Sequence, residues 1–362
     1  MIDTKAFLRD PRRRNLAILA AVAFVMVVLA VLAVVHEAHE LAPRKMAQSL
    51  FPELAHEAGR VAHIRIQSHK GSLDIVFKPE KGWVVASHDD YPASFEQVRE
   101  TIVGLAALVA IEPKTARQDW LPYLDLVSPL HGGNGTLITL MDDKGTILAS
   151  LIAGKTTDIG DPSGAMGLFV RQPGDPQSWL ARSVFEPKSD ASDWLDKQVM
   201  TIDRARIAEA DIDPLVGPSY VVRRDHPSDA DFELTELPRG RALAYDGAPD
   251  GVAASVADFS FDDVRPARNF DFSDSAHLAR IVTKTFDGLT VTVNVMQQGT
   301  DYWATVSAEG APNSPDARKE ARDIDAHAAG WAYKLPAAEG QQFTTTLESL
   351  LKPVGGAAPK AG

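Results

Sequence analysis

The sequence predicts an α+β protein in which one N-terminal transmembrane helix precedes a tandem-duplicated, β-rich antiparallel sheet unit with a packing helix in each repeat. Three observations lead to this prediction. They are a twenty-residue apolar run near the N-terminus, alternation of apolar residues over much of the remainder, and a similar order of elements at an offset of about 153 to 159 residues. The hydrophobic content of 45% and charged content of 24% are ordinary for a folded protein with a core.

The apolar run reads LAILAAVAFVMVVLAVLAVV, begins at Leu16 and ends at Val35. At ~1.5 Å rise per residue, a helix of this length covers roughly 30 Å, the thickness of the hydrocarbon core of a bilayer. A cleaved signal peptide is the alternative, but its apolar region normally has only about 7–15 residues and ends at a small-x-small site. We therefore expect a retained single-pass helix over residues 16–35 that contacts the lipid bilayer.

The charges that flank the run predict its orientation. The preceding residues 1–15 are rich in Lys and Arg, whereas the residues directly after the run are His36, Glu37, His39 and Glu40. Because positively charged flanks stay in the cytoplasm, we expect a cytoplasmic N-terminus and a body on the other side of the membrane, periplasmic in a Gram-negative bacterium.

Four segments follow the predicted span. Residues 36–60 are expected to be a stalk or linker, residues 61–200 a first α+β repeat, residues 201–351 a second repeat, and residues 352–362 a flexible tail. Within the first repeat, HIRIQSHKGSLDIVFKPEKGWVV predicts a three-stranded meander with turns at its two Lys-Gly pairs.

A helix is predicted after this meander, in SFEQVRETIVGLAALVAIEP. Ser94 is a suitable N-cap, the apolar residues from Phe95 to Ile111 have helical spacing, and Pro113 lies just past the end. An irregular connector, DWLPYLDLVSPL, leads to a hairpin about Asp-Lys-Gly whose second strand is expected to end at Gly154. GLFVRQPG and SWLARS predict two more short strands.

The second repeat is expected to follow the same plan. SYVVRRDHPSDADFELTEL predicts two strands about a polar turn, and DGVAASVADFSFDDVRPA aligns with the first helix, with Val256 opposite Val103 and Pro266 opposite Pro113. HLARIVTKTFDGLTVTVNVMQQGTDYWATVSA predicts three alternating strands. SPDARKEARDIDAHAAG predicts a surface helix, and QQFTTTLESLL predicts a short amphipathic helix. We infer a tandem duplication from this agreement.

Composition excludes several classes of function. A net charge of -12 argues against nucleic acid as a partner, since Lys and Arg must neutralise the phosphates. With no cysteine, the chain has no disulfide, thiolate metal site or Cys nucleophile.

The stretch Gly154-Lys155-Thr156-Thr157 resembles the end of a phosphate-binding loop. That loop requires a glycine where the chain has Ala149, and a helix where the chain has turn-forming residues. We therefore expect neither a nucleotide nor any other cofactor.

Other candidate residues have simpler structural explanations. HEAHE places His36 and His39 three residues apart, so a juxtamembrane metal site with Glu40 is an alternative to solvated headgroup-level residues. The glycine-rich HGGNG resembles a lipase oxyanion loop, but the chain has no Gly-x-Ser-x-Gly elbow to provide the nucleophile.

Two larger groups of side chains also remain open to a functional interpretation. The carboxylates of Asp262, Asp263, Asp271 and Asp274 suit turns and caps, with acid–base work as the alternative. The six tryptophans favour core or edge packing over a ligand platform. No catalytic, cofactor-binding or metal-ligating residue is assigned.

Three motifs, in their order along the chain, resemble those of one bacterial family. They are Gly82-Trp83, the connector YLDLVSP that ends at Pro129, and DWLDK at residues 193–197. The family is domain of unknown function 4340, and the resemblance extends from about residue 61 to residue 350. It implies a membrane-anchored protein often encoded beside gliding-motility-type ABC transporter components, with no established catalytic residue. The resemblance therefore implies a partner in the bacterial inner membrane or envelope, and not a reaction.

The expected function is that of a non-enzymatic, membrane-anchored periplasmic accessory or scaffold protein of an ABC-type transporter or envelope complex. Two alternatives remain. One is a periplasmic module that binds a glycan or peptide, and the other is an envelope hydrolase whose site is assembled from distant residues. A scaffold requires an exposed apolar patch or an open sheet edge. A ligand module or an enzyme requires a pocket with converging groups.

Overall fold

The computed structural model describes residues 48–257, 259–273 and 277–353. The expected cytoplasmic segment 1–15, the expected span 16–35, residues 36–47 of the expected stalk, Asp274 and nearly all of the expected tail lie outside these residues. Within the described ranges, no helix is long and apolar enough to cross a bilayer.

The body is α+β and is built on two large antiparallel sheets. The first sheet has ten strands in the described part, in the spatial order β1-β6-β10-β9-β8-β7-β2-β3-β4-β5. Their bounds are β1 (Gln48–Ser49), β2 (His63–Ser68), β3 (Gly71–Lys78), β4 (Gly82–Val85), β5 (Tyr91–Pro92), β6 (Val109–Pro113), β7 (Thr136–Met141), β8 (Ile147–Thr157), β9 (Met166–Arg171) and β10 (Ser178–Ser183).

The second sheet has eight strands in the described part, in the order β13-β12-β11-β15-β16-β17-β18-β14. Their bounds are β11 (Ile207–Pro214), β12 (Tyr220–Arg223), β13 (Glu233–Leu234), β14 (Asp263–Pro266), β15 (Ala279–Thr285), β16 (Leu289–Gln298), β17 (Asp301–Gly310) and β18 (Trp331–Leu335).

Six α-helices accompany the sheets in the described ranges. They are α1 (Leu54–Glu57), α2 (Phe95–Ala106), α3 (Asp250–Ala253), α4 (Pro315–Ala328), α5 (Ala337–Phe343) and α6 (Leu347–Leu350). Only α2 and α4 exceed two turns, and each begins at a serine whose side chain accepts a backbone hydrogen bond: Ser94 from Gln97 N and Ser314 from Ala317 N, both at 3.3 Å.

The two sheets repeat one strand order. Without β1 and β5, the first sheet reads β6-β10-β9-β8-β7-β2-β3-β4, and the second reads β14-β18-β17-β16-β15-β11-β12-β13 in the same direction. When the strands of each sheet are ranked along the chain, the two orders are identical. Pro113 and Pro266, aligned from the sequence, are the last residues of the equivalent strands β6 and β14.

One continuous hydrophobic core connects both halves of the body. It contains buried residues of both sheets together with α2 and the helices of the second half. The opposite face of each sheet is covered by the connector that follows the equivalent strands β6 and β14. In the first half Leu121 and Leu126 pack on Leu137 and Ile152, and in the second half Phe270 packs near Trp303.

Several local predictions are confirmed. The meander of β2, β3 and β4, the hairpin of β7 and β8, and the three strands β15, β16 and β17 occur where alternation predicts them. The surface helix α4 is also confirmed. Residues 48–60, expected to belong to a stalk, contribute β1, which pairs with β6, and the buried Leu54.

The predicted first helix was wrong at its C-terminal end and on one face. Helix α2 ends at Ala106, and Val109 to Ile111, expected to be helical, belong to β6, which pairs with β10. The backbone before Pro113 favours an extended conformation, and this sheet pairing completes the strand. Phe95 is 68% exposed and Val103 is 50% exposed.

Three other predictions are corrected. The strand expected to end at Gly154 continues to Thr157, because Thr156 and Thr157 pair with β9. The predicted second packing helix is reduced to α3, which ends at Ala253. Just after that end, the Ser255 hydroxyl donates a hydrogen bond to Val252 O. The expected C-terminal helix is divided into α5 and α6 where Thr344 and its neighbours bond back to the preceding turn.

Candidate functional site

An apolar groove lies between α2 and the strands β3 and β4. The groove has a volume of ≈ 420 Å³, and we call it the α2 groove. Its lining includes Ala58, Phe77, Trp83, Phe95 and Val103. The rings of Phe77 and Trp83 meet edge to face at 5.7 Å, so one wall is aromatic.

The groove arises because α2 carries apolar residues on more than its buried face. Val98 and Leu105 point into the core, whereas Phe95 and Val103 remain outside it. Large apolar side chains that form one exposed concave patch are characteristic of surfaces that bind another molecule. The described chain begins at Gln48, ten residues before Ala58 in the groove wall.

A second concavity, which we call the connector cleft, has a volume of ≈ 880 Å³. It lies between the end of β6, the connector that follows it, and β9. Its aromatic lining comprises Trp120, which is 54% exposed, Tyr123, which is 73% exposed, and Phe169. Two aromatic rings this accessible are unusual in a packed body, because such rings normally bury most of their surface.

Ion pairs surround the connector cleft. Lys114 Nζ lies 2.8 Å from Glu112 Oε1 and 5.8 Å from the centre of the Phe169 ring. Arg117 donates two hydrogen bonds to Asp119, at 3.1 and 2.7 Å, and its guanidinium lies 5.6 Å from the Trp120 ring. The hydrogen bond from Arg117 holds the pKa of Asp119 below its usual value, so this pair is charged at neutral pH.

The connector is attached firmly to the sheet beneath the cleft. Leu121 and Leu126 are buried against the sheet, and Lys155 Nζ donates to the Tyr123 carbonyl at 2.9 Å. A Cβ atom at Gly154 would lie only 2.1 Å from Leu124 O, so the close approach of connector and β8 requires glycine.

The Asp-Trp-x-x-Lys motif lies at the junction of the two halves. Trp194 is fully buried, and residues beside it pair with the edge of the first sheet at Ala93. Lys197 Nζ donates to Phe261 O at 2.6 Å and lies 4.3 Å from the Phe261 ring. Burial lowers the pKa of Lys197, while nearby aspartates oppose this effect.

The same junction contains an ion pair and an aromatic cluster. His88 Nε2 lies 3.2 Å from Asp263 Oδ1, and the Tyr91 ring lies 5.0 Å from Trp331 and 6.3 Å from Tyr333. Burial opposes ionisation of Asp263, but hydrogen bonds from His88 and the Val264 backbone outweigh it and lower the pKa of the carboxyl. The junction is therefore packed and polar contacts cross it.

Most of the candidate residues named from the sequence do not come together into one site in the structure. Lys155 and its threonine neighbours lie within β8 and not at a helix N-terminus. Gly133 in HGGNG lies against Val127 O, where a Cβ atom would be 2.2 Å away, so the glycine has a packing role. Asp271 accepts from Ser273 N, and Asp263 belongs to the junction.

Within the described residues, no group of three or more His, Cys, Asp or Glu side chains is placed to hold a metal ion. His36 and His39 lie outside the described residues.

Sequence reasoning missed both concave surfaces. The α2 groove was missed because helical spacing alone assigned Phe95 to the core face. One signal for the connector cleft was present, since Trp120 and Tyr123 are three residues apart in a segment without strand alternation. The strand that provides Phe169 was identified, but its position beside the connector depends on the sheet order.

Comparison with known proteins finds one family. The sequence model of a family described as a domain of unknown function, DUF4340, matches residues 83–280, which is more than half of the chain. The matched region includes α2, the connector and the junction motif. A search of curated proteins finds no match.

Proposed function

The chain belongs to the DUF4340 family, whose description names no activity, and we propose that it is a non-enzymatic, membrane-anchored periplasmic accessory or scaffold protein of an ABC-type transporter or envelope complex. The apolar run at residues 16–35 is the proposed anchor, with a cytoplasmic N-terminus. The body then acts by contact with neighbouring membrane proteins.

The α2 groove is the observation that supports this proposal best. Phe95 is 68% exposed, Phe77 is 46% exposed and Val103 is 50% exposed within one concave surface. Desolvation of such a patch by a partner is favourable, since apolar burial contributes about 25 cal/mol per Å². Ala58 in the groove wall is only 23 residues from the end of the proposed span at Val35, which favours a membrane-embedded partner.

We also propose that the body arose by tandem duplication. The identical strand order of the two sheets and the shared offset of 153 residues for the pairs Val103 with Val256 and Pro113 with Pro266 support this origin. The long helix α4 between β17 and β18 and the shortened α3 are then later changes of the second unit.

Anchoring is tested by alkaline carbonate extraction and by protease access in spheroplasts. The full chain is expected to stay with the membranes, and protease added from outside is expected to degrade the body. Release of intact protein by carbonate, or protection of the body, contradicts the proposed anchor.

Docking is tested by a photo-reactive amino acid placed at Phe95 in the full chain in its native membrane. The matched control is the same amino acid at Tyr245, which is 66% exposed and lies in the second half. We expect a cross-link from position 95 to a multi-spanning transporter or envelope subunit, with none from position 245. Equal cross-linking at both positions, or no membrane partner at position 95, contradicts the proposal.

A substitution provides an independent measure of the same contact. Phe95→Ser is expected to reduce recovery of the cross-linked subunit in mild-detergent affinity purification, while Tyr245→Ser leaves it unchanged. Both residues are exposed, so neither change is expected to affect folding by more than about 0.5 kcal/mol. Undiminished recovery with Phe95→Ser contradicts a role for the groove.

A further inference from the structure

We propose that the connector cleft is a binding site for a neutral glycan, meaning a chain of sugars without ionised groups. The cleft shares no lining residue with the α2 groove, so this site does not depend on the docking surface proposed above. Its volume of ≈ 880 Å³ lies within the range of small-molecule and oligomer sites.

The aromatic side chains provide the first argument. Trp120 and Tyr123 expose more than half of their surface, and Phe169 lies beside them in the same concavity. Sugars with equatorial hydroxyl groups have flat faces of C–H bonds, and these faces stack on flat aromatic rings. Aromatic side chains also contribute large contact areas with little loss of conformational entropy, because few side-chain torsions have to be fixed.

The charges provide the second argument. The cations in and beside the cleft, Lys114, Arg117 and Lys155, each have a carboxylate within 4 Å, at 2.8, 2.7 and 3.9 Å respectively. An anionic ligand would have to compete with these carboxylates, and a cationic ligand would have to compete with the Lys and Arg side chains. The balance of charge therefore favours a ligand that has no net charge.

Hydrogen-bonding capacity distinguishes a glycan from a peptide. Glu112 and Asp119 offer acceptors, whereas Lys114 and the Thr115 hydroxyl offer donors around one cleft. A carboxylate has about four acceptor sites, and the Arg117 bonds use only two of those on Asp119. Sugar hydroxyls donate and accept at once and can use both kinds of group. A proline-rich peptide, the other ligand that favours aromatic grooves, offers mainly carbonyl acceptors and leaves the carboxylates unused.

The cleft is also preorganised. Leu121 and Leu126 fix the connector on the sheet, Lys155 holds the Tyr123 carbonyl, and Arg117 lies over the Trp120 ring. A site that is ordered before binding loses less entropy when the ligand arrives.

The test uses the purified full chain in a polyoxyethylene detergent, because detergents with sugar headgroups would compete for the site. Cellohexaose and chitohexaose are the neutral probes, and binding is measured by titration calorimetry. We expect at least one of them to bind. Trp120→Ala and Tyr123→Ala are expected to weaken that binding by about tenfold or more, as for aromatic residues at the centre of an interface.

Two variants control for folding. Trp120→Phe keeps an aromatic face and is expected to retain binding within about threefold. Tyr245→Ala removes a ring whose exposure lies between those of Trp120 and Tyr123, and it is expected to leave binding unchanged. Thermal unfolding of each variant verifies that the body is intact.

Three outcomes overturn the proposal. They are no binding of either hexasaccharide by the folded full chain, equal binding by the folded Trp120→Ala variant, or preference for a competing probe. The competing probes are hexagalacturonate, which tests an anionic glycan, and a proline-rich decapeptide, which tests peptide recognition.

Discussion

Gly154 shows how one residue positions the connector cleft. It lies within β8, and its φ is not positive. A Cβ atom at this position would lie 2.1 Å from Leu124 O. The connector that carries Trp120 and Tyr123 can approach the sheet this closely only if position 154 has no side chain.

Gly154→Ala is therefore expected to destabilise the protein by about 1–3 kcal/mol, because a backbone carbonyl has to move. Guanidinium unfolding of the full chain, followed by tryptophan fluorescence, measures the change. Gly59→Ala is the control, since nothing lies within 4 Å of its Cβ position and its φ is not positive. A loss as small for Gly154→Ala as for Gly59→Ala would refute the close approach.

The Asp263 carboxyl at the junction makes the stability of the folded state depend on pH. Its lowered pKa means that the folded state binds the proton less readily than the unfolded chain, whose carboxyl has the ordinary value of 3.8. The resulting stabilisation is present above that value and is lost as pH falls through the lower pKa of the folded state. Asp74, paired with His63 and Arg65, has its pKa lowered in the same direction despite partial burial.

We expect Asp263→Asn to reduce the acid-dependent part of the unfolding free energy. The measurement is a series of guanidinium titrations between about pH 6 and about pH 3, where the slope against pH reports the difference in bound protons. Asp271→Asn is the comparison, since the pKa of Asp271 is lowered by the hydrogen bond from Ser273 N within one exposed turn, so its effect on the slope reports a local contact and not one across the junction. An unchanged slope for Asp263→Asn would show that His88 and Asp263 do not stabilise the fold together.

At the scale of the element, α2 is important because it forms both core and groove. Its N-cap is Ser94, whose Oγ accepts from Gln97 N at 3.3 Å, and Glu96 in the first turn complements the helix dipole. Phe95, whose side chain is the most exposed of the large apolar side chains that line the α2 groove, is the first residue after this cap.

Ser94→Ala is expected to destabilise the protein by about 1 kcal/mol and to increase hydrogen exchange in the first turn of α2. Ser94→Asp retains a side-chain acceptor and is expected to preserve stability. Hydrogen exchange with mass spectrometry on the full chain distinguishes the two variants. Equal protection in both would mean that the cap does not order the helix start.

At the scale of the whole molecule, the junction unites the two sheets into one body. The continuous core and the contact from Lys197 to Phe261 O link residues of both halves. We therefore expect the body to unfold in one cooperative transition.

Lys197→Met is expected to lower stability by about 1–3 kcal/mol, because it retains the apolar stem but leaves the Phe261 carbonyl without its donor. Calorimetry of the full chain measures both the loss and the cooperativity. Lys188→Met is the control, since Lys188 pairs with Glu186 near the surface. An unfolding profile identical to that of the unsubstituted chain would contradict a coupling role for Lys197.

Much of the fold could be predicted from local patterns. Alternation located β2 to β4 and β15 to β17, and Ser94 marked the start of α2. The end of α2 could not be predicted in this way, because Leu108 to Ile111 are apolar at spacings compatible with a helix or a strand. Pairing of β6 with β10, which are far apart in sequence, decided that question. Strand β18 was not predicted, because its 5 residues show too little alternation of apolar and polar side chains and follow α4 almost directly.

By itself, the sequence determined the α+β class, the strand-rich plan, the absence of thiol chemistry and a strongly apolar segment at residues 16–35. These features depend on composition and on side-chain periodicity, which are local. Only the tertiary structure decided which apolar residues remain at the surface and which distant residues meet. Phe95 is exposed because, within the described part of the chain, no other element packs over that face of α2. Trp120, Tyr123 and Phe169 line one cleft because the sheet order brings β9 beside the connector. Burial and proximity depend on the packing of all elements together, and no short stretch of sequence contains that information.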